Sequence, residues 1–187
     1  MQIPLRSMTA VSSNWYTPLA NKQITAREMV LYAMLGAMTF ALQVVMAGLP
    51  NIEPVSLLVM LFAATFGWKS LYSVYVFVIM EVLFHGLGLW NINYLYIWAI
   101  LAVAAIFLRS MQTPLGWALL SGVYGLAFGA LCGIVDLFIG GPEYALAKWL
   151  SGIPFDIAHC IGNFVIALIL WKPLYTLLAQ LHKRMKF

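Results

Sequence analysis

Residues 29–48 read MVLYAMLGAMTFALQVVMAG, twenty positions without a single charge. As a helix this run rises about 30 Å, the thickness of the hydrocarbon layer of a bilayer. Thr25 is placed to cap such a helix, and Pro50 closes it, so the first helix is expected over 26–48. The rest of the chain has the same character. Of 187 residues, 64% are hydrophobic and 9% are charged, against about 25% charged in a soluble domain. Too few polar side chains exist to cover a water-facing surface. In lipid only helices or closed barrels satisfy their own backbone, and continuous apolar runs favour helices over the alternation of barrel strands. The expected fold class is an all-α membrane protein of six transmembrane helices.

Five further helices are read between breakers. They fall at about 55–67, 70–87, 94–109, 114–139 and 153–178, the last disturbed at Pro173. A turn over Pro50–Pro54 and another over 67–70 separate the early spans, and a Gly/Asn-rich loop covers 88–93. Gly140, Gly141 and Pro142 break the chain before a connecting stretch, read as a surface helix, that runs to Ser151. Residues 1–22 are polar and irregular and are expected to form a cytoplasmic tail without a cleavable signal peptide. Residues 23–187 then form one domain.

With the N-terminus inside, Arg6, Lys22, Arg27, Lys69, Arg109, Lys172, Lys183, Arg184 and Lys186 fall on the inner side, and only Lys148 falls outside. This is the positive-inside pattern, and it places both termini in the cytoplasm. Glu53, Asp136, Glu143 and Asp156 fall at or near the outer face. The net charge of +4 therefore describes topology, and its scattered residues make no nucleic-acid patch. Cys132 and Cys160 sit in apolar segments and read as packing residues, with no CxxC pattern.

Four features carry function. In the first helix Ala33, Ala37 and Ala41 recur at spacing four beside Gly36, a smooth stripe that lets another helix approach closely; packing inside this chain and docking of an outside partner both fit it. Polar residues at membrane depth come second: Glu81 and His85 one turn apart, Asp136 at the end of the fifth helix, and Asp156, His159 and Asn163 on one face of the sixth. Ionisable groups there are costly and mark functional sites, although locking the bundle is an alternative use. Glu81 is expected near the middle of the bilayer. Third, Trp90, Asn91, Asn93 and Tyr94 begin an alternation of rings and amides running to Trp98, which suits a pocket for a flat organic molecule as well as an interfacial belt. Last, the two prolines of 50–54 stiffen a loop carrying Asn51 and Glu53, a cover for a site or a plain turn.

The stretch from Leu49 to Val55 after the alanine helix resembles the S-components of energy-coupling-factor (ECF) vitamin transporters. So do Phe66-Gly67-Trp68-Lys69 after the second helix, Gly152-Ile153-Pro154-Phe155-Asp156 before the sixth, and the six-span plan. The resemblance covers about residues 26–180 and rests on the order and spacing of loose motifs. It implies a substrate-capturing subunit in the plasma membrane of a Gram-positive bacterium. Such a subunit binds a vitamin from outside and docks on a membrane coupling subunit driven by two cytoplasmic ATPases. It further implies that the alanine helix faces the coupling subunit, that the ligand sits in the outer half under the 50–54 loop, and that the subunit topples to carry the ligand inward. The 88–94 loop and the 152–156 segment are most similar to the cobalamin S-components. Folate, pantothenate, riboflavin and a queuosine precursor are the other ligands of this class.

No GxxxxGK[ST] occurs, so ATP is not used through such a loop, and no cofactor or metal is assigned. Two rival readings come from other classes. Glu81, His85, Asp156 and His159 could together hold a metal and activate water in an intramembrane enzyme, although HExxH and GxSxG are absent. Glu81 alone could serve a proton-coupled carrier.

Overall fold

The computed structural model describes residues 24–48 and 54–185. All regular structure among them is helical: α1 (Ala26–Val45), α2 (Val55–Phe66), a 3-10 turn (Gly67–Lys69), α3 (Ser70–His85), α4 (Trp90–Phe107) and a long stretch, Pro114–Met185. That stretch contains one non-helical residue, Gly141 (φ 80, ψ −178). It divides the stretch into α5 (residues 114–140) and α6 (residues 142–185). Glycine adopts this backbone without the Cβ clash an L side chain meets, and Pro142 follows at the first turn of α6, where its missing N–H is not needed. Four stretches are long and apolar enough to cross a membrane: Ala26–Val45, Val55–His85, Trp90–Phe107 and Pro114–Met185. The Gly67 turn (φ 60) and Gly141 divide the second and the fourth.

Two ends of the bundle can be named from contacts. At the Gly67 end, Lys69 pairs with Glu28 near the start of α1, and Phe66 meets His182 near the end of α6, ring to ring at 5.1 Å. Arg109, after α4, lies against the same turn. At the Gly86 end, Phe40 of α1 packs on Phe84 at 5.3 Å, and α4 begins.

Thr25 caps α1 as its sequence requires. Its hydroxyl accepts from the Glu28 backbone N–H while the Glu28 carboxylate accepts from the Thr25 N–H, a capping box. The buried face of α1 is Glu28, Tyr32, Leu35, Gly36, Thr39 and Phe40. Gly36 sets the approach to α3: a Cβ there would stand 2.6 Å from the Ser73 carbonyl oxygen. α2 is apolar on every side and buried continuously from Val55 to Ala63, the pattern of a helix sheathed by others. At twelve residues it rises about 18 Å, less than the hydrocarbon thickness.

α5 and α6 approach through Gly122, Gly125 and Gly129. A Cβ at Gly125 would stand 2.8 Å from the His159 carbonyl oxygen. Trp117 and Trp171 stack between the two helices at 4.0 Å and 15°.

The structure differs from the sequence reading at several points, among them the ends of α1 (Val45), α3 (His85) and α6 (Met185). α4 starts at Trp90 rather than at 94, because the Asn91 carboxamide reaches back to accept the Gly88 N–H at 2.5 Å and closes a first turn. Residues 142–151 continue into α6 without a break, although almost nothing buries them before Asp156. Neither Pro154 nor Pro173 departs from helical geometry. The outer surfaces of the helices are large apolar side chains: Leu83, Phe84, Phe107 and Phe138 are each at least 65% exposed. That is the surface a lipid-embedded bundle presents.

Candidate functional site

A continuous chain of rings runs from the Gly86 end into the bundle. His85 edges Trp90 at 6.3 Å, Trp90 meets Tyr94 at 5.1 Å, and Tyr94 meets Trp98 at 5.6 Å. Trp98 packs on Phe128 at 5.8 Å, and Phe128 on His159 at 4.9 Å. Most of these contacts are edge-to-face, the arrangement ring quadrupoles favour. Spacing four on α4 brings 90, 94 and 98 to one face, and α5 and α6 carry the chain on. The alternation in 90–98 is therefore a helical face rather than a loop.

An acid and an imidazole stand at each end of the chain, in contact at the Glu81 end. Glu81 and His85 lie one turn apart on α3, Oε2 to Nδ1 at 3.3 Å. Glu81 is one turn short of the helix end, so it belongs to the Gly86 end and not to the middle of the span. Asp156 and His159 lie three residues apart on α6. Asp156 Oδ1 accepts the Gly129 backbone N–H at 3.0 Å. Gly129 has no side chain, and a Cβ there would collide with the Asp156 carboxylate. Glu81, Asp156 and His159 are each 5% exposed or less.

Above Asp156 an ion pair crosses the Gly141 corner. Lys148 on α6 reaches Asp136 on α5 at 2.6 Å, with the aspartate buried and the lysine half exposed. The Tyr96 hydroxyl donates to the Leu131 carbonyl at 2.6 Å and reaches Asn93 Oδ1 at 2.9 Å, tying α4 to α5.

Glu81, His85, Trp90, Asn91, Tyr94, Asp156 and His159 thus lie on or beside one feature, with Asp136 and Asn93 on its border. Asn163 does not belong to it. Its amide donates to the Ser56 hydroxyl at 3.0 Å and the Ser121 carbonyl at 3.3 Å, so it fastens α2, α5 and α6 in the core. Asn51 and Glu53 lie outside the described residues. Among the described residues, no three His, Cys, Asp or Glu side chains gather as a metal site, so Glu81, His85, Asp156 and His159 do not form one quartet.

Sequence reasoning missed Lys148 as the partner of Asp136, Phe128 as the link between Trp98 and His159, and Gly129 as the cradle of Asp156. The last had a signal. Gly125 and Gly129 form a GxxxG step, the spacing of close helix contact in lipid.

The alanine stripe faces outward. Ala33 and Ala41 are exposed and Ala37 is half-buried, flanked by Met34 and Met38 at 65% and 42% exposure. Close packing inside the chain falls to Gly36 instead. Two hollows among the described residues are open lateral grooves. One, of about 290 Å³, lies between α5 and α6 at Gly122 and Cys160; the other, of about 330 Å³, lies between α1 and Met185. Neither is at the ring chain. No family model, curated protein or solved structure matches this chain.

Proposed function

We propose that the chain is the substrate-capturing subunit, the S-component, of an ECF-type vitamin importer, and not an enzyme. In this reading it crosses the plasma membrane of a Gram-positive bacterium six times. The Gly67 end, with both termini, faces the cytoplasm, and cobalamin is taken from outside at the Gly86 end. The observation that carries the proposal is the cluster of buried acid, imidazole and amide groups along a chain of rings that runs from the Gly86 end into the bundle. Such groups are expensive in hydrocarbon and persist where they serve a solute. The rings offer a flat apolar face and the polar groups offer orientation, the usual division of labour in a small-molecule site.

Two further features support it. Arg27, Lys69, Arg109 and Lys183 belong to elements that meet at the Gly67 end, in keeping with a cytoplasmic side. The short α2 needs no match to lipid thickness, because protein surrounds it. Ala33, Ala37 and Ala41 present a smooth outward strip to a coupling subunit, itself driven by two ATPases. The ring chain is packed shut, so capture requires the Gly86 end to part.

Native mass spectrometry of the detergent-purified protein tests the reading. A retained cobalamin mass is expected. Stoichiometric zinc without a vitamin would favour the intramembrane enzyme and overturn the transporter reading. Uptake into vesicles that lack any ATPase partner would favour a carrier working alone.

A further inference from the structure

Five buried polar atoms along the ring chain have no hydrogen-bond partner among the described residues: Glu81 Oε1, Asp156 Oδ2, His159 Nε2, Asn91 Nδ2 and Trp98 Nε1. Their residues are 8% exposed or less. Leaving one such group unmet is costly, because it gives up water without a partner in exchange. Buried polar atoms are nearly always satisfied in folded proteins. Among the described residues the Ser70, Ser73 and Ser121 hydroxyls, Gln43 Oε1, Thr65 Oγ1 and Asn163 Oδ1 are also unmet, but they are spread over the helices, whereas these five follow one feature. The Glu81 and Asp156 oxygens call for donors. The Asn91 amide and the Trp98 indole N–H call for acceptors. His159 Nε2 takes either part according to its tautomer.

These demands are distributed along the rings. Glu81 stands beside His85 and Asn91 beside Trp90. Trp98 lies in the middle, and His159 with Asp156 at the far end. A carboxylate or phosphate ligand brings acceptors only, and would set its charge near two carboxyl groups. A hydrocarbon ligand meets none of the five. Hydroxyls and water also supply both kinds, but they bring no flat apolar face for the rings; a planar apolar body whose edge carries N–H and C=O together, as carboxamides, lactams and ureides do, brings both.

We propose that the ring chain binds a neutral, amide-bearing planar molecule, and that Glu81 and Asp156 discriminate against its acid counterpart. The inference rests on the capture reading above and narrows its substrate class by chemistry.

Equilibrium binding to the detergent-purified full chain tests it with three matched pairs: cyanocobalamin and its monocarboxylic acid, biotin amide and biotin, riboflavin and flavin mononucleotide. In at least one pair the neutral member is expected to bind about tenfold or more tighter than the acid, the order set by mismatched buried polar groups. Asp156→Asn, which adds a donor, is expected to shrink that ratio. The wild-type ratio stands on its own where the variant does not fold. Selective binding of riboflavin or biotin amide in place of cyanocobalamin keeps this inference and removes cobalamin. Equal binding of the two members of every pair that binds overturns the inference and leaves capture intact. Acid members binding more tightly than neutral ones, or no binding by all six probes, overturns it.

Discussion

Buried acids in this bundle meet two fates: Glu28 at the Gly67 end and Asp136 at the Gly141 corner are completed by a lysine, whereas Glu81 and Asp156 are not. At the Gly67 end, Glu28 is 5% exposed and both of its oxygens are in use. Oε1 meets Lys69 and Oε2 accepts from the Thr25 N–H and hydroxyl. Towards the Gly86 end, Glu81 and Asp156 are buried as deeply, yet each has one oxygen engaged and one unmet. The residues are chemically alike and the burial is alike. What differs is whether the fold supplies the partner. A buried carboxyl that the fold completes is part of the scaffold, and one that it leaves incomplete is available to something else. Depth in the membrane does not separate the two cases; the inventory of partners does.

The completed end should dominate stability. Trp117 is 1% exposed, stacks on Trp171, and donates its indole N–H to the Met111 carbonyl at 3.0 Å. Trp117→Ala is expected to destabilise the bundle by about 3–5 kcal/mol, the usual loss for a buried aromatic. Thermal unfolding in detergent measures it. A loss under about 1 kcal/mol would mean that α5 and α6 are not held there and would break the contrast between the ends.

Next in size is the ion pair itself. Lys69→Met leaves Glu28 buried without its cation, which costs about 2 kcal/mol with the lysine partly exposed. The double variant Glu28→Gln/Lys69→Met is expected to recover most of that loss, because it removes the stranded charge with its partner. A double variant no better than the single one would show that Lys69 acts through packing and not through Glu28.

Much of this was legible before the fold was seen. The α1 cap, the Gly67 and Gly141 breaks and the six helical segments follow from breakers and apolar runs, which are local signals. Tyr94, Trp98 and the acids were visible as residues worth placing. Their assembly was not, since the link runs through Phe128 on a different helix, and one apolar face of α5 reads like another in sequence. Asn163 misled for the same reason. Spacing puts it on the face of Asp156 and His159, but only the position of Ser56, 107 residues away, shows that its amide nitrogen is already committed. The start of α4 was misplaced because Asn91 and Asn93 read as loop formers, whereas Asn91 closes the first turn by bonding backward to Gly88.

The smallest effect on stability is expected where neither end is involved. Ala37 is half-buried at the edge of the outward side of α1, about 100° round the helix from the Gly36 contact with α3. A leucine there directs most of its added apolar volume away from the α3 contact, so Ala37→Leu should cost no more than about 1 kcal/mol. It should also leave ligand affinity unchanged, because the ring chain lies on other helices. What it should abolish is co-purification with a coupling subunit, since close helix approach in lipid depends on small residues. Lost ligand binding in the purified variant would place α1 in the site and erase the division between scaffold, site and docking strip. Intact docking with the leucine in place would mean that the alanines meet only lipid.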